Sequence, residues 1–171
     1  MRITRKRWAV GAAVVSLVGG ATVGTTAVQA TPGTASTTQL AEAVLPPTHL
    51  TAHGRTLGGK RWGVRLRTYG LTDGYVIDNK FIPGQTTGWH SHPGPSIVYV
   101  VAGTVTNYES THRHCAGVTY SAGQEFVDAG GTDVHMLSNN GSIPAETIAV
   151  QFIPDGQQRR IDQPEPANCN L

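Results

Sequence analysis

The chain has 171 residues, 39% of them hydrophobic and only 14% charged, with 21 Gly and 10 Pro. That length predicts one domain, and Gly and Pro scattered without a period exclude both collagen and low-complexity disorder. The formal net charge of +2 is misleading, because four of the thirteen basic residues (Arg2, Arg5, Lys6, Arg7) lie at the very start. Without residues 1–30 the remainder carries nine basic against eleven acidic residues, a net charge of −2. That excludes the basic footprint of a nucleic-acid-binding domain.

Residues 1–30 run from this basic cluster through an apolar stretch, Trp8 to Val18, to Val28-Gln29-Ala30. The pattern is that of a Sec-type signal peptide cleaved near Ala30, so the mature protein is expected to be secreted. Gly11, Gly19, Gly20 and Gly24 break the apolar run well short of the ~20 residues that cross a bilayer. No later segment is long enough either, so no stable membrane span is expected after cleavage. Residues 31–60 open on a stretch rich in Thr, Ala and Pro and are predicted to be a flexible linker or N-terminal arm.

Residues 61–155 read as strand, turn, strand. Predicted strands cover 62–69, 75–82, 87–92, 97–101, 105–109, 118–121, 126–127, 134–138 and 147–153, with Thr72-Asp73-Gly74 as a turn. Nothing there has helical periodicity with caps, so the expected fold is all-β, an antiparallel sandwich or barrel. Residues 156–171 form a tail. Cys115 and Cys169, 54 positions apart, are expected to pair in an exported chain. Such a bond would tie the tail to the body and contribute roughly 4 kcal/mol in the chain-entropy model. The rival reading makes Cys115 a thiolate metal ligand beside His112-Arg113-His114, a second H-x-H set in a polar, solvated loop.

The chemistry concentrates in Gly84 to Gly103 and Gly123 to Asn139. His90 and His92 are two apart, so on a strand both imidazoles leave the same face. His135 lies on another predicted strand. The spacing resembles the two motifs of the cupin superfamily, G-x5-H-x-H-x3-E-x6-G and G-x5-P-x-G-x2-H-x3-N. The likeness spans about residues 70 to 153. It implies a cupin-type double-stranded β-helix, or jelly-roll barrel, with His90, His92 and His135 gripping one divalent transition metal (Fe, Zn, Mn, Ni or Cu).

Three departures qualify the resemblance. Ser96 stands where cupins place a ligating glutamate, leaving three neutral imidazoles and an open position, with Ser96 itself a pocket residue. Ala129 replaces a proline. One extra residue between Gly131 and His135 is expected to bulge the turn, and a bulge there could re-aim the ring. Carboxylate-lacking cupin sites are similar to those of thiol, diketone and gentisate dioxygenases. The implied function is a secreted metal-dependent oxygenase acting on a small organic molecule, with a non-catalytic small-molecule or metal binding module as the alternative. Cupins often pair, so a homodimer is allowed, although no interface stripe stands out.

The remaining residues take plainer expectations. Trp89 should face away from the metal and Tyr99 should pack. Asn139 either orients His135 or closes a turn. Asp128 and Asp133 flank Gly130-Gly131 as turn residues. Ligating histidines must be neutral, so metal affinity is expected to fall below about pH 6.5.

Overall fold

The computed structural model describes residues 32–171; the predicted signal peptide lies outside them. Twelve strands follow in chain order among these residues: β1 (Ser36–Leu45), β2 (His49–Arg55), β3 (Arg61–Arg67), β4 (Thr72–Phe81), β5 (His90–Ser91), β6 (Ser96–Ala102), β7 (Thr104–Glu109), β8 (Val118–Ser121), β9 (Glu125–Asp128), β10 (His135–Ser138), β11 (Ala145–Pro154) and β12 (Ile161–Asp162). Alternation makes each sheet two-faced. In β11, Ala145, Thr147, Ala149, Gln151 and Ile153 are buried, while the residues between them are half-exposed.

The strands form two five-stranded antiparallel sheets, in the orders β1-β4-β11-β6-β9 and β12-β5-β10-β7-β8. Their inner faces meet in one core. Ile77 and Phe81 of β4, Val98 and Val100 of β6 and Phe126 of β9 pack against Val105 of β7 and Leu137 of β10. A second, smaller core lies apart from the first, where Trp89 and Met136 pack on Cys115 and Cys169. These two cysteines are disulfide-bonded, with Cα atoms 5.1 Å apart. The all-β architecture and the cysteine pairing agree with the sequence, and the thiolate reading of Cys115 falls.

Three local expectations are corrected. Residues 36–45, placed in a flexible linker or arm, form an ordered edge strand, paired with β4 from Ser36↔Lys80 to Leu45↔Thr72. Its side chains are exposed nearly throughout, so backbone hydrogen bonding rather than apolar patterning holds it. A composition-based reading has nothing to detect in such a strand. Conversely, the 62–69 alternation is real but belongs to β3, which pairs only with β2 in a separate hairpin. Trp62 and Val64 there stay about half-exposed, because no sheet covers them. Thr72 to Gly74 are no turn. They begin β4, with β11 and β1 as hydrogen-bonding partners on its two sides.

Two loops at one end of the sandwich are clasped together. The Gly131 N–H donates to the His92 carbonyl at 2.7 Å, and Gly130 lies directly on the backbone of Gly94. Gly130 has φ +71°, a conformation that costs an L side chain energy, and an added Cβ would overlap the Gly94 carbonyl. Gly130→Ala should therefore destabilise the fold by about 2 kcal/mol or more, read as a lower urea midpoint. Reduction of Cys115–Cys169 should cost roughly 4 kcal/mol, checked by urea unfolding with and without reductant.

Candidate metal centre

Two strands that neighbour in space, though distant in sequence, bring the histidines together. β10 lies between β5 and β7, and its His135 stands directly opposite His90 of β5. Residues paired in this way share a face, so both rings enter the same cavity. His92, two residues beyond His90, joins them from the clasped loop. Ring centroids lie 4.8 Å (His90–His92), 4.4 Å (His90–His135) and 5.3 Å (His92–His135) apart. One nitrogen from each ring falls within 4.8 Å of the other two. All three residues are buried.

The extra residue before His135 does not re-aim it. Gly130 and Gly131 both take left-handed conformations, φ +71° and +74°, and absorb the insertion within the turn. The structure also shows how two of the rings are oriented. His90 Nδ1 donates to the Gly88 carbonyl at 2.8 Å, and His92 Nδ1 donates to the Arg159 carbonyl at 2.6 Å. Each bond puts the proton on Nδ1 and leaves the Nε2 lone pair facing the cavity. His135 Nδ1 is buried without a partner.

Burial keeps the cluster uncharged. Desolvation first, with His135 and Arg160 adding repulsion, holds His90 well below the ordinary imidazole value. Desolvation likewise brings His135 down to about 4, against the pull of Asp128. His92 is lowered by the same cause, partly offset by the Arg159 carbonyl and by Asp128. Three neutral donors converging on one point fit a borderline transition metal, not the all-oxygen shell that magnesium and calcium prefer.

Asp128 is the site residue that sequence reasoning missed. Its turn role is real, since Oδ1 accepts the Gly130 N–H at 2.8 Å. Yet Asp128 is 2% exposed, its Oδ2 has no hydrogen-bond partner, and that atom lies 3.9 Å from His92 Nε2. Oδ1 is 3.8 Å from His135 Nδ1. Asp128 pairs with Ser96 across β6 and β9, so a carboxylate absent from position 96 enters the cavity from the neighbouring strand. Nothing in the sequence marks this second role, which shows only in the burial and in the unpartnered second oxygen.

Ser96 is 1% exposed and lines the cavity. Its hydroxyl accepts from Gln151 Nε2 at 3.0 Å, and the same amide donates to His92 Nε2 at 3.3 Å. Trp89 faces away, into the disulfide core. Tyr99 lies on the outer face, 45% exposed, rather than packing. Asn139 closes a turn, donating to the Phe81 and Ile143 carbonyls at 3.2 and 2.8 Å. His112 stands apart from the cluster, 3.1 Å from Glu109, and His114 is exposed. The cavity has a volume of about 410 Å³.

Neither a family model nor a curated protein matches the chain. Solved structures similar to it include a Klebsiella pneumoniae protein with a double-stranded β-helix domain, at 19% identity, TM-score 0.45, over 54% of this chain and 71% of that one. A predicted oxalate decarboxylase from Thermotoga maritima is 22% identical, TM-score 0.39, over 49% of this chain and 82% of that one. An oxalate oxidase in complex with glycolate is 21% identical, TM-score 0.45, over 52% of this chain, which spans only 45% of that protein. Likeness at this level carries no argument, and the fold rests on the strand pairing of this chain itself. Two antiparallel five-stranded sheets, packed over a buried histidine cluster, give the jelly-roll-like all-β architecture that the motif spacing led us to expect.

Proposed function

We propose that this is an exported metal-dependent oxygenase acting on a small organic molecule, with a divalent transition metal held by His90, His92 and His135. The observation that carries the reading is the buried convergence of three neutral imidazole nitrogens within 4.8 Å of one another. The carboxylate of Asp128, with one oxygen free, lies beside His92 and His135 and would offset the ion's charge. A bound ion of this kind supplies Lewis-acid and redox chemistry at positions the protein leaves open. The chain's own part is to hold the rings in register, to keep their lone pairs unprotonated, and to surround the site with a cavity large enough for a small organic molecule.

Natively exported protein should carry about one transition-metal ion per chain. His135→Ala should abolish that stoichiometry, while Asp128→Asn should weaken zinc binding about 10- to 100-fold; elemental analysis and competitive zinc titration read both. Iron-reconstituted protein should consume O2 with a thiol, a diketone or a catechol. Retained metal with no uptake across all three favours the binding-module reading, and no retained metal overturns the centre itself.

The pH behaviour follows from the burial. The folded histidines sit below the ordinary imidazole value, so the unfolded chain takes up protons first as pH falls. The metal-free fold should thus be fully supported above about pH 6.5 and lose stability from there downward, through the His135 value of about 4. A thermal-melt series between pH 7 and 4 measures this. Zinc affinity should hold to lower pH than an ordinary imidazole would allow, which revises the limit near 6.5.

A further inference from the structure

The cavity has two unlike ends. One part of its wall carries the apolar side chains Ile77, Val98, Phe126 and Leu137, next to the polar Thr37 and Asn79. The histidine end is polar and carries two guanidinium groups, Arg159 and Arg160, from the tail segment. Arg160 is satisfied: its Nε pairs with Asp162 Oδ1 at 2.6 Å, and its Nη2 donates to the Thr87 carbonyl at 2.7 Å. Arg159 is not. Among the described residues no carboxylate lies within ion-pair distance of it. Its Nη1 donates to Gln151 Oε1 at 3.0 Å, which leaves most of its five N–H donors unused.

An arginine beside a second arginine, half-buried and without a counter-ion, is unfavourable unless an anion completes it. Gln151 indicates how near that anion would come to the histidines. One planar amide spans the interval, accepting from Arg159 at one end and donating to His92 Nε2 at the other. A carboxylate has the same planar shape with acceptors at both ends, and a guanidinium fork meets it with two parallel hydrogen bonds. The four apolar side chains favour a ligand whose remainder is largely hydrocarbon.

We propose that the cavity binds a small organic acid, its carboxylate paired with Arg159 at the histidine end and its apolar body laid against Ile77, Val98, Phe126 and Leu137. The proposal deepens the metal-centre reading and rests on it for the second positive charge beside the carboxylate. Arg159 acts here as a binding residue. Its backbone carbonyl, which orients His92, survives any change of side chain.

The test uses the full chain loaded with zinc, which does not turn over, titrated calorimetrically with hexanoate and with the uncharged hexanamide. Hexanoate should bind at least about tenfold more tightly, since one desolvated charge-assisted contact is worth that factor or more. Arg159→Gln should bring hexanoate down to the hexanamide level, with zinc stoichiometry unchanged, and Arg159→Lys should keep part of the preference. Equal binding of the two probes, no binding of either, or an Arg159→Gln protein that still prefers hexanoate overturns the proposal. A chain that takes up no zinc sinks the metal reading instead. The same titration on metal-free protein then decides this one, upheld by an Arg159-dependent preference for hexanoate and overturned by its absence.

Discussion

Three buried imidazole rings crowd one cavity most favourably while all three stay uncharged. A single proton there would cost far more than its pairing with one carboxylate returns. Everything near the site serves that condition. The β5–β10 register sets His90 against His135, backbone carbonyls take the Nδ1 protons of His90 and His92, and the sheets exclude water from the rings. A site built this way is preorganised. Its imidazole nitrogens converge, with Gln151 already donating to one of them, His92 Nε2, and such a donor set suits a cation.

The absence of a ligand-bearing glutamate at position 96 has a counterpart one strand away. Gln151, Ser96 and Asp128 form a row across β11, β6 and β9, all buried. Because paired residues on neighbouring strands project from the same face, a negative charge can move sideways along the row while still reaching the same cavity. The hydroxyl at position 96 is small enough to leave space for it.

The histidines and the disulfide were legible because both signals are spacings, and spacing survives the absence of coordinates. H-x-H fixes a shared face at period 2, and two cysteines can pair with each other in one way only. What the sequence hid is what backbone geometry alone decides. β1 carries no apolar alternation because it is held by its amides, and β3 carries one that nothing buries. Asp128 looked like a turn residue because it is one, and only the fate of its second oxygen reveals the other role. Gln151 left a trace, as the one amide on the buried parity of β11 among Ala145, Thr147, Ala149 and Ile153. Arg159 left none: position 159 reaches the cavity only because β12 returns to pair with β5.

That return has a consequence for how the protein is made. A chain emerges from its N-terminus, so the histidines are all present before residues 159–162 appear. The nascent barrel therefore lacks one wall of its cavity, the carbonyl that fixes His92 and the cation that faces it. The final stretch works as a late-arriving door, and the covalent link just beyond it, at Cys169, keeps that door shut.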